Sequence, residues 1–229
     1  MVLRIATYNI HRCVGCDGLE APERIAAVLQ DIKADVAALQ EVAFDPSSPK
    51  NILADLARCM DARAIAGPTL LEKKGHYGNA ILSRFAPEGI ERLNISVPGR
   101  EPRGALSVNL RLNGSSVRIV TTHLGLRPRE RRYQMRRLLS LLDDPSHAAV
   151  TILLGDFNEW LLWGRPLRWV NRRFGSLPAP PTFPSRRPLM ALDRIWVDPA
   201  DRLISLHHHR HPSAAIASDH LPLVAQVAV

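Results

Sequence analysis

Short apolar runs alternate with polar interruptions along the chain, and most runs have the period of two, or the continuity, that belongs to strands. They fall at 2–9, 35–40, 62–66, 78–83, 104–112, 116–122, 149–154, 192–197 and 222–228. Helical spacing takes over between them. Ile25, Val28, Leu29 and Ile32 recur on one side of a segment behind Pro22, a favourable first-turn residue. Ile52, Leu53, Leu56 and Met60 mark a second helix, and a third is predicted from Pro128 to about Leu142. Hairpin-like neighbours around "NGSS" are mixed with strand-helix-strand units, which predicts mixed sheets packed face to face with helices outside. No internal repeat is visible.

The segment 160–188, "WLLWGRPLRWVNRRFGSLPAPPTFPSRRP", interrupts this pattern. Its first part predicts a short amphipathic helix with Trp160, Trp163, Leu167 and Trp169 near one side, while "LPAPP" forces an extended loop. The strands on either side need each other to form a sheet, so the segment is an insertion within one domain spanning 1–229 and not a boundary.

Composition narrows the class. With 229 residues, 46% of them hydrophobic, the chain can bury a sizeable core and disorder is not expected. No run of about 18 apolar residues occurs. Arg4 and Asn9 break the N-terminal apolar stretch too early for a signal-peptide core, so the expectation is a cytoplasmic protein that starts at once with a strand. Three cysteines, an odd count with no secretion signal expected, argue against a disulfide framework; Cys13 and Cys16 form a C-x-x-C with no second pair, which suits incidental loop thiols better than a redox or zinc site. The net charge is +8, concentrated in "RPRERRYQMRR" (127–137) and in the 160–187 stretch with its six arginines. Such patches suit a polyanion, either nucleic acid or an anionic lipid surface, or else form a solvated basic face.

The polar residues at the ends of the runs carry the candidate chemistry. Asn9 closes the first strand, Glu41 the second and His123 the strand ending "TTH"; "LLGDFN" sets Asp156 and Asn158 where a buried run stops; Asp193 opens "DRIWV"; Asp219 and His220 precede the last strand. Each has an ordinary explanation taken singly: an Asx-turn for Asp156 and Asn158, a solvated loop for Glu41, a structural imidazole for His123, a turn for Asp219 and His220. Together they are hard to produce by turn chemistry, because rigid strand ends are where layered folds hold reactive groups.

"TYNIH", "LQEV", "YGNAILSR", "TTHL", "LLGDFN", "LDRIW" and "SDHLPL" occur, from Thr7 to Leu223, in the order expected for the endonuclease/exonuclease/phosphatase superfamily, and the chain resembles its small bacterial members. The resemblance implies an α/β fold, a four-layer α/β sandwich with two mixed β-sheets inside and helices outside as in deoxyribonuclease I. It also implies a Mg²⁺-type ion, with Mn²⁺ as a substitute, at one mouth, and attack of water on a phosphoester. The residue types suit that chemistry, since a hard cation with oxygen ligands must offset the charge of a phosphodiester. Glu41, Asn9 and Asp219 are the expected metal ligands; Asp156 is expected to orient water and Asn158 to donate to phosphate; His123 and His220 are expected to donate to the transition state, with Asp193 fixing the tautomer of His220.

Further contacts are expected less directly. His76 and Asn79 suit either substrate contact or strand entry, and Arg103 either phosphate or a surface salt bridge. His11 points into the same mouth if the first strand continues, because a period of two keeps it on the face of Asn9. "HHHRH" at 207–211 is expected to be a solvated connection. "TTHL" looks more like the branch containing pancreatic-type deoxyribonuclease, sphingomyelinase and the deadenylases than like abasic-site endonucleases. The expected partner is thus a phosphodiester of nucleic acid or of phospholipid, handled by a monomer that can associate peripherally with anionic membrane; the alternative is a catalytically weak binding protein using the same mouth.

Overall fold

The structure, a computed structural model, describes residues 1–45, 47–48, 51–72, 75–143 and 148–229. In chain order the elements are β1 (Val2–Asn9), α1 (Pro22–Ile32), β2 (Val36–Phe44), α2 (Ile52–Cys59), β3 (Arg63–Glu72), β4 (Gly75–Ser83), β5 (Pro87–Asn94), β6 (Gly104–Leu112) and β7 (Ser115–His123). They continue with α3 (Pro128–Asp143), β8 (Val150–Asp156), α4 (Arg165–Phe174), β9 (Asp193–Asp198), β10 (Leu203–His208), α5 (Ala214–Ala217) and β11 (Leu223–Ala228). Among the described residues one sheet runs β10-β11-β1-β2-β4-β3 and the other β5-β6-β7-β8-β9.

Alternation along the strands builds the layers. Leu3 and Ile5 of β1 face inward with Val36 and Ala38 of β2, meeting Leu106, Val108, Ile119, Ile152 and Leu154 of the second sheet in a dry layer between the sheets. The other face of β1 and β2, with Ala6, Tyr8, Ala37 and Leu39, is covered by the apolar sides of α1 and α2. Val120, Leu153 and Trp196 on the outer face of the second sheet are covered by α3 and α4 through Met135, Leu138, Leu167 and Val170. The result is helix, sheet, sheet, helix, the expected sandwich. In α1, Ile25, Val28, Leu29 and Ile32 are the buried set, with proline in the first turn and Lys33 closing the helix in the left-handed region.

Each sheet holds one parallel pair. β1 and β2 are joined through α1, and β7 and β8 through α3; every other pairing is antiparallel among the described strands. A parallel pair needs such a crossover, and its two carboxyl ends necessarily lie at one edge. Here both pairs end at the same edge of the sandwich, and that edge carries the site.

Several boundaries differ from expectation. β5 and β10 are edge strands with one neighbour each, and β5 leaves most of its side chains exposed, so no apolar alternation marks it. His207 and His208 belong to β10 and not to a free connection, and His209 lies 2.9 Å from Asp31. The helix of the insertion begins only at Arg165 and buries Pro166, Leu167, Val170 and Phe174; Trp160 and Trp163 precede it in a turn and are 59% and 72% exposed. Cys13, Cys16 and Cys59 are all free thiols.

Candidate active site

Strand register sets the candidate residues side by side. Asn9 pairs with Gln40 across β1 and β2, His123 with Asp156 across β7 and β8, and Asp156 with Asp193 across β8 and β9. Three expected residues are therefore successive rungs of one sheet. Asp193 comes at the start of its strand because β9 runs antiparallel to β8, so its beginning meets the end of β8. Local backbone distortions then aim the side chains. The β2–β4 register slips between Leu39 and Val42, and Glu41 in that bulge has φ 57°, which turns its carboxylate out of the ladder. Gly155 has φ 141°, and a Cβ there would lie 2.0 Å from the Thr122 carbonyl oxygen, so only glycine lets β8 approach β7 at this point.

Asn158 follows in the left-handed region, φ 49°, which asparagine tolerates. Its backbone N–H donates to Asp156 Oδ1 at 2.9 Å, closing an Asx-turn.

The two sheets meet through polar side chains at this edge. The Asn9 amide donates through Nδ2 to Glu41 Oε1 at 3.1 Å and to Asp156 Oδ2 at 3.0 Å. Just beneath, buried Gln40 donates to Thr121 Oγ1 of the other sheet at 3.2 Å and accepts from Thr7 at 3.2 Å. Above this floor opens a mouth of about 580 Å³, lined by Asn9, His11, Glu41, Arg103, His123, Asp156, Asn158, Asp219 and His220, together with Arg12, Tyr77, Glu101, Leu126, Phe183 and Leu192.

The two histidines hold opposite protonation states. His220 donates through Nδ1 to Asp193 Oδ2 at 2.7 Å, and its Nε2 lies 3.8 Å from Asp156 Oδ2. Burial alone would push its pKa down, but the carboxylates of Asp193, Asp156 and Asp219 outweigh it and lift the value to about 10. His220 is an imidazolium at neutral pH. Thr182 donates to the same Asp193 oxygen, which fixes the carboxylate, and the Phe183 ring packs over His220 at 5.0 Å. His123 is driven the other way: burial, with Arg103 and His220 adding to it and Asp156 opposing, pushes its pKa down to about 3. His123 is therefore neutral.

Some residues sit differently from expectation. Both hydrogens of the Asn158 amide are engaged, by the Leu124 carbonyl at 2.9 Å and by His123 Nε2 at 3.0 Å. Asn158 thus holds the imidazole and the turn after β7, and it has no free N–H to offer a phosphate. Arg103 is 6% exposed and forks onto Glu101 at 3.0 and 3.1 Å, with Nη1 3.4 Å from His123 Nδ1. It is a buried wall of the mouth and not a surface bridge. β1 stops at Asn9, so His11 reaches the mouth through a tight turn with φ 47° and lies 4.0 Å from Asp219.

Asp219 itself is set by Ser218, whose hydroxyl donates to the Asn9 carbonyl at 2.7 Å. Asn79 is 2% exposed and donates to the Gly104 carbonyl, tying β4 to β6 beneath the mouth. His76 packs edge-on against Phe44 and does not line the mouth. Arg12, stacked on Tyr77 at 4.6 Å, and Phe183 were missed from sequence. The motifs "NIHR" and "YGNA", which hold Arg12 and Tyr77, were the available signal for that pair, whereas Phe183 lies in the insertion with no such motif around it.

Asp156, Asp193 and His220, all buried, each present a ligand atom within 4.8 Å of the others, and this group is capable of coordinating a divalent cation. An imidazolium cannot ligate, so His220 would first have to give up a proton. Glu41, Asn9 and Asp219 offer oxygen atoms at the same mouth. Glu41 is half-buried, accepts from the Asn9 amide and has no basic partner among the described residues.

Comparisons with known proteins give the family and the fold. The chain is 31% identical to the uncharacterized protein YbhP of Escherichia coli strain K12, over 98% of this chain and 95% of that one. The crystal structure of an endonuclease/exonuclease/phosphatase from Beutenbergia cavernae superposes with a TM-score of 0.79 at 24% identity, covering 100% of this chain and 72% of that one. A family protein from Leptotrichia buccalis gives 0.80 at 16% identity, covering 99% and 100%. The model of the Endonuclease/Exonuclease/phosphatase family matches residues 6–220, a span that takes in every residue of the mouth, and the chain belongs to that family.

Proposed function

We propose that the protein is a Mg²⁺-dependent phosphodiesterase, cleaving a phosphodiester of nucleic acid or of a phospholipid by attack of water. The observation that carries this is the joining of two sheets' strand ends at one mouth, with Asn9 bridging Glu41 and Asp156, beside an imidazolium built from His220 and Asp193. Glu41, Asn9 and Asp219 would hold the ion, with Mn²⁺ as a substitute. When bound, it neutralises phosphate charge and polarises the P–O bond.

The protein's own groups supply the rest. His220, charged and held by Asp193, donates through Nε2 to a phosphoryl oxygen, where a preformed donor in a buried setting is most effective. Asp156 Oδ2, facing the mouth, positions the attacking water, while its Oδ1 stays in the Asx-turn. His123 and Asn158 act through Asp156 by packing and hydrogen bonds, as positioning residues.

Hydrolysis of bis-p-nitrophenyl phosphate tests the proposal. Activity should vanish in excess EDTA and return with Mg²⁺ or Mn²⁺, and full activity in chelator overturns it. Asp156→Asn keeps the turn oxygen but sets an amide N–H against the Asn9 donor, so it should lower the melting temperature modestly while kcat falls about 10²–10⁴-fold. A wild-type kcat in that variant would reduce Asp156 to a turn former.

A further inference from the structure

Immediately beyond Asn158 the chain projects an apolar turn that the mouth does not use. Trp160, Leu161, Leu162 and Trp163 are 59, 38, 64 and 72% exposed, four large apolar side chains in succession. The turn is not a frayed loop. Its backbone closes on itself, with the Gly164 N–H donating to the Leu161 carbonyl at 2.7 Å. Beneath it Glu159, 2% exposed, accepts from the Leu161 N–H and from Arg131, also 2% exposed, at 3.2 Å. Arg131 in turn donates to the carbonyl of Leu126, a mouth residue that is itself 72% exposed. A fully buried ion pair thus ties the exposed apolar turn to Leu126 at the mouth, where the hydrophobic effect alone would fold such side chains inward.

The surroundings select a partner. Arg127 precedes α3 and Arg129 lies in its first turn, just after Leu126, and Arg165 and Arg168 lie in the first turn of α4, just after the Trp/Leu turn. All four are exposed and have no acidic partner among the described residues. Stacking on unpaired bases needs aromatic faces lining a groove that tracks phosphates. Here two leucines stand between the tryptophans in an exposed turn, and leucine offers no stacking face. A protruding Trp/Leu tip ringed by arginine matches the water–bilayer boundary, where indole rings settle at headgroup level and basic residues meet anionic headgroups. No helix among the described residues is long and apolar enough to cross a membrane, so the contact is peripheral.

We infer that Trp160–Trp163, with Leu126 and the flanking arginines, form a docking surface for an anionic lipid bilayer, which brings the mouth to the headgroup layer. Docking stands independently of catalysis; that a headgroup phosphodiester is the substrate rests on the hydrolase reading above. The test is sedimentation of the full chain with vesicles of phosphatidylcholine alone or with about one third phosphatidylglycerol, alongside tryptophan emission. Wild type should sediment with the anionic vesicles and shift its emission to the blue. The double variant Leu161→Asp, Leu162→Asp should bind at least about tenfold more weakly, because two apolar side chains are lost and two like charges gained.

Arg165→Ala with Arg168→Ala should lose the preference for anionic lipid while keeping the melting temperature. A tip variant that sediments like wild type overturns the proposal, as does a wild type that shows neither sedimentation nor emission shift. Loss of single-stranded oligonucleotide binding in the tip variant, with no vesicle binding by wild type, would give the surface to nucleic acid instead. Vesicle binding by a chain that hydrolyses no diester would leave docking intact and overturn the hydrolase reading alone.

Discussion

Asp193 shows how one carboxylate sets the state of another residue. It accepts from His220 at 2.7 Å inside a buried pocket, and without its charge burial would favour neutral imidazole. Asp193→Asn should therefore lower the His220 pKa, visible in an NMR titration, and reduce kcat at neutral pH while KM changes little. An unmoved titration would remove Asp193 from the proposed mechanism.

The two histidines also make opposite contributions to stability with pH. The His220 pKa is raised from 6.5 to about 10, so its contribution is full below 6.5 and is lost as pH rises through 10. The His123 value is lowered from 6.5 to about 3, so the unfolded chain binds a proton there first, and stability is lost as pH falls from 6.5 toward 3. Melting temperatures in chelator should show the difference between His123→Asn and wild type shifting in favour of the variant as the solution is acidified. The difference between wild type and His220→Asn should shrink between neutral pH and 10. Parallel pH profiles for all three proteins would contradict both assignments.

Among the elements, the connection from β8 to α4 depends on a buried ion pair and a glycine. Arg131 and Glu159 are almost fully enclosed, and Gly164 passes so close to Glu159 that a Cβ would lie 2.7 Å from its carboxyl carbon. Arg131→Met leaves Glu159 charged and unpaired, which should cost about 3–5 kcal/mol in denaturant unfolding. Replacing both, Arg131→Met with Glu159→Gln, should recover a large part of that loss. At the other end of the same connection, Gly155→Ala forces a Cβ onto the Thr122 carbonyl and should destabilise by about 2–4 kcal/mol. Stability within about 0.5 kcal/mol of wild type in either single variant would show that these approaches relax freely.

For the whole molecule, the site depends on the spacing of two sheets, since Asn9 belongs to one and Asp156 to the other. Ile119 lies in the layer between them, whereas Leu138 of α3 packs in the outer layer, against the far face of the second sheet. Truncating either to alanine should cost about 2–5 kcal/mol. Well below the melting transition, Ile119→Ala should also lower kcat/KM, because collapse around the cavity moves one sheet against the other, while Leu138→Ala should leave it near wild type. Equal kinetic effects would mean that sheet spacing does not tune the mouth.

The sequence by itself determined the layers and the candidate set. Apolar runs mark nine of the described strands, helical spacing marks α1, α2 and α3, and the ordered polar strand ends single out Asn9, Glu41, His123, Asp156, Asp193, Asp219 and His220. These features are local: a side chain's face follows from its strand position, and a buried run must end where the sheet does. Only the tertiary structure decided what the local pattern leaves open. β5 and β10 gain their pairing from a single neighbour and show no burial signature. The Asn158 amide is consumed by His123 and Leu124, residues more than thirty positions away, and the different protonation states of His123 and His220 arise from burial and from carboxylates on other strands. The Trp160–Trp163 turn, expected in part as a helix face, is held out in solvent by an ion pair to a residue 28 positions earlier than Glu159. Long-range burial and electrostatics depend on what the fold brings near, and no window along the chain contains that information.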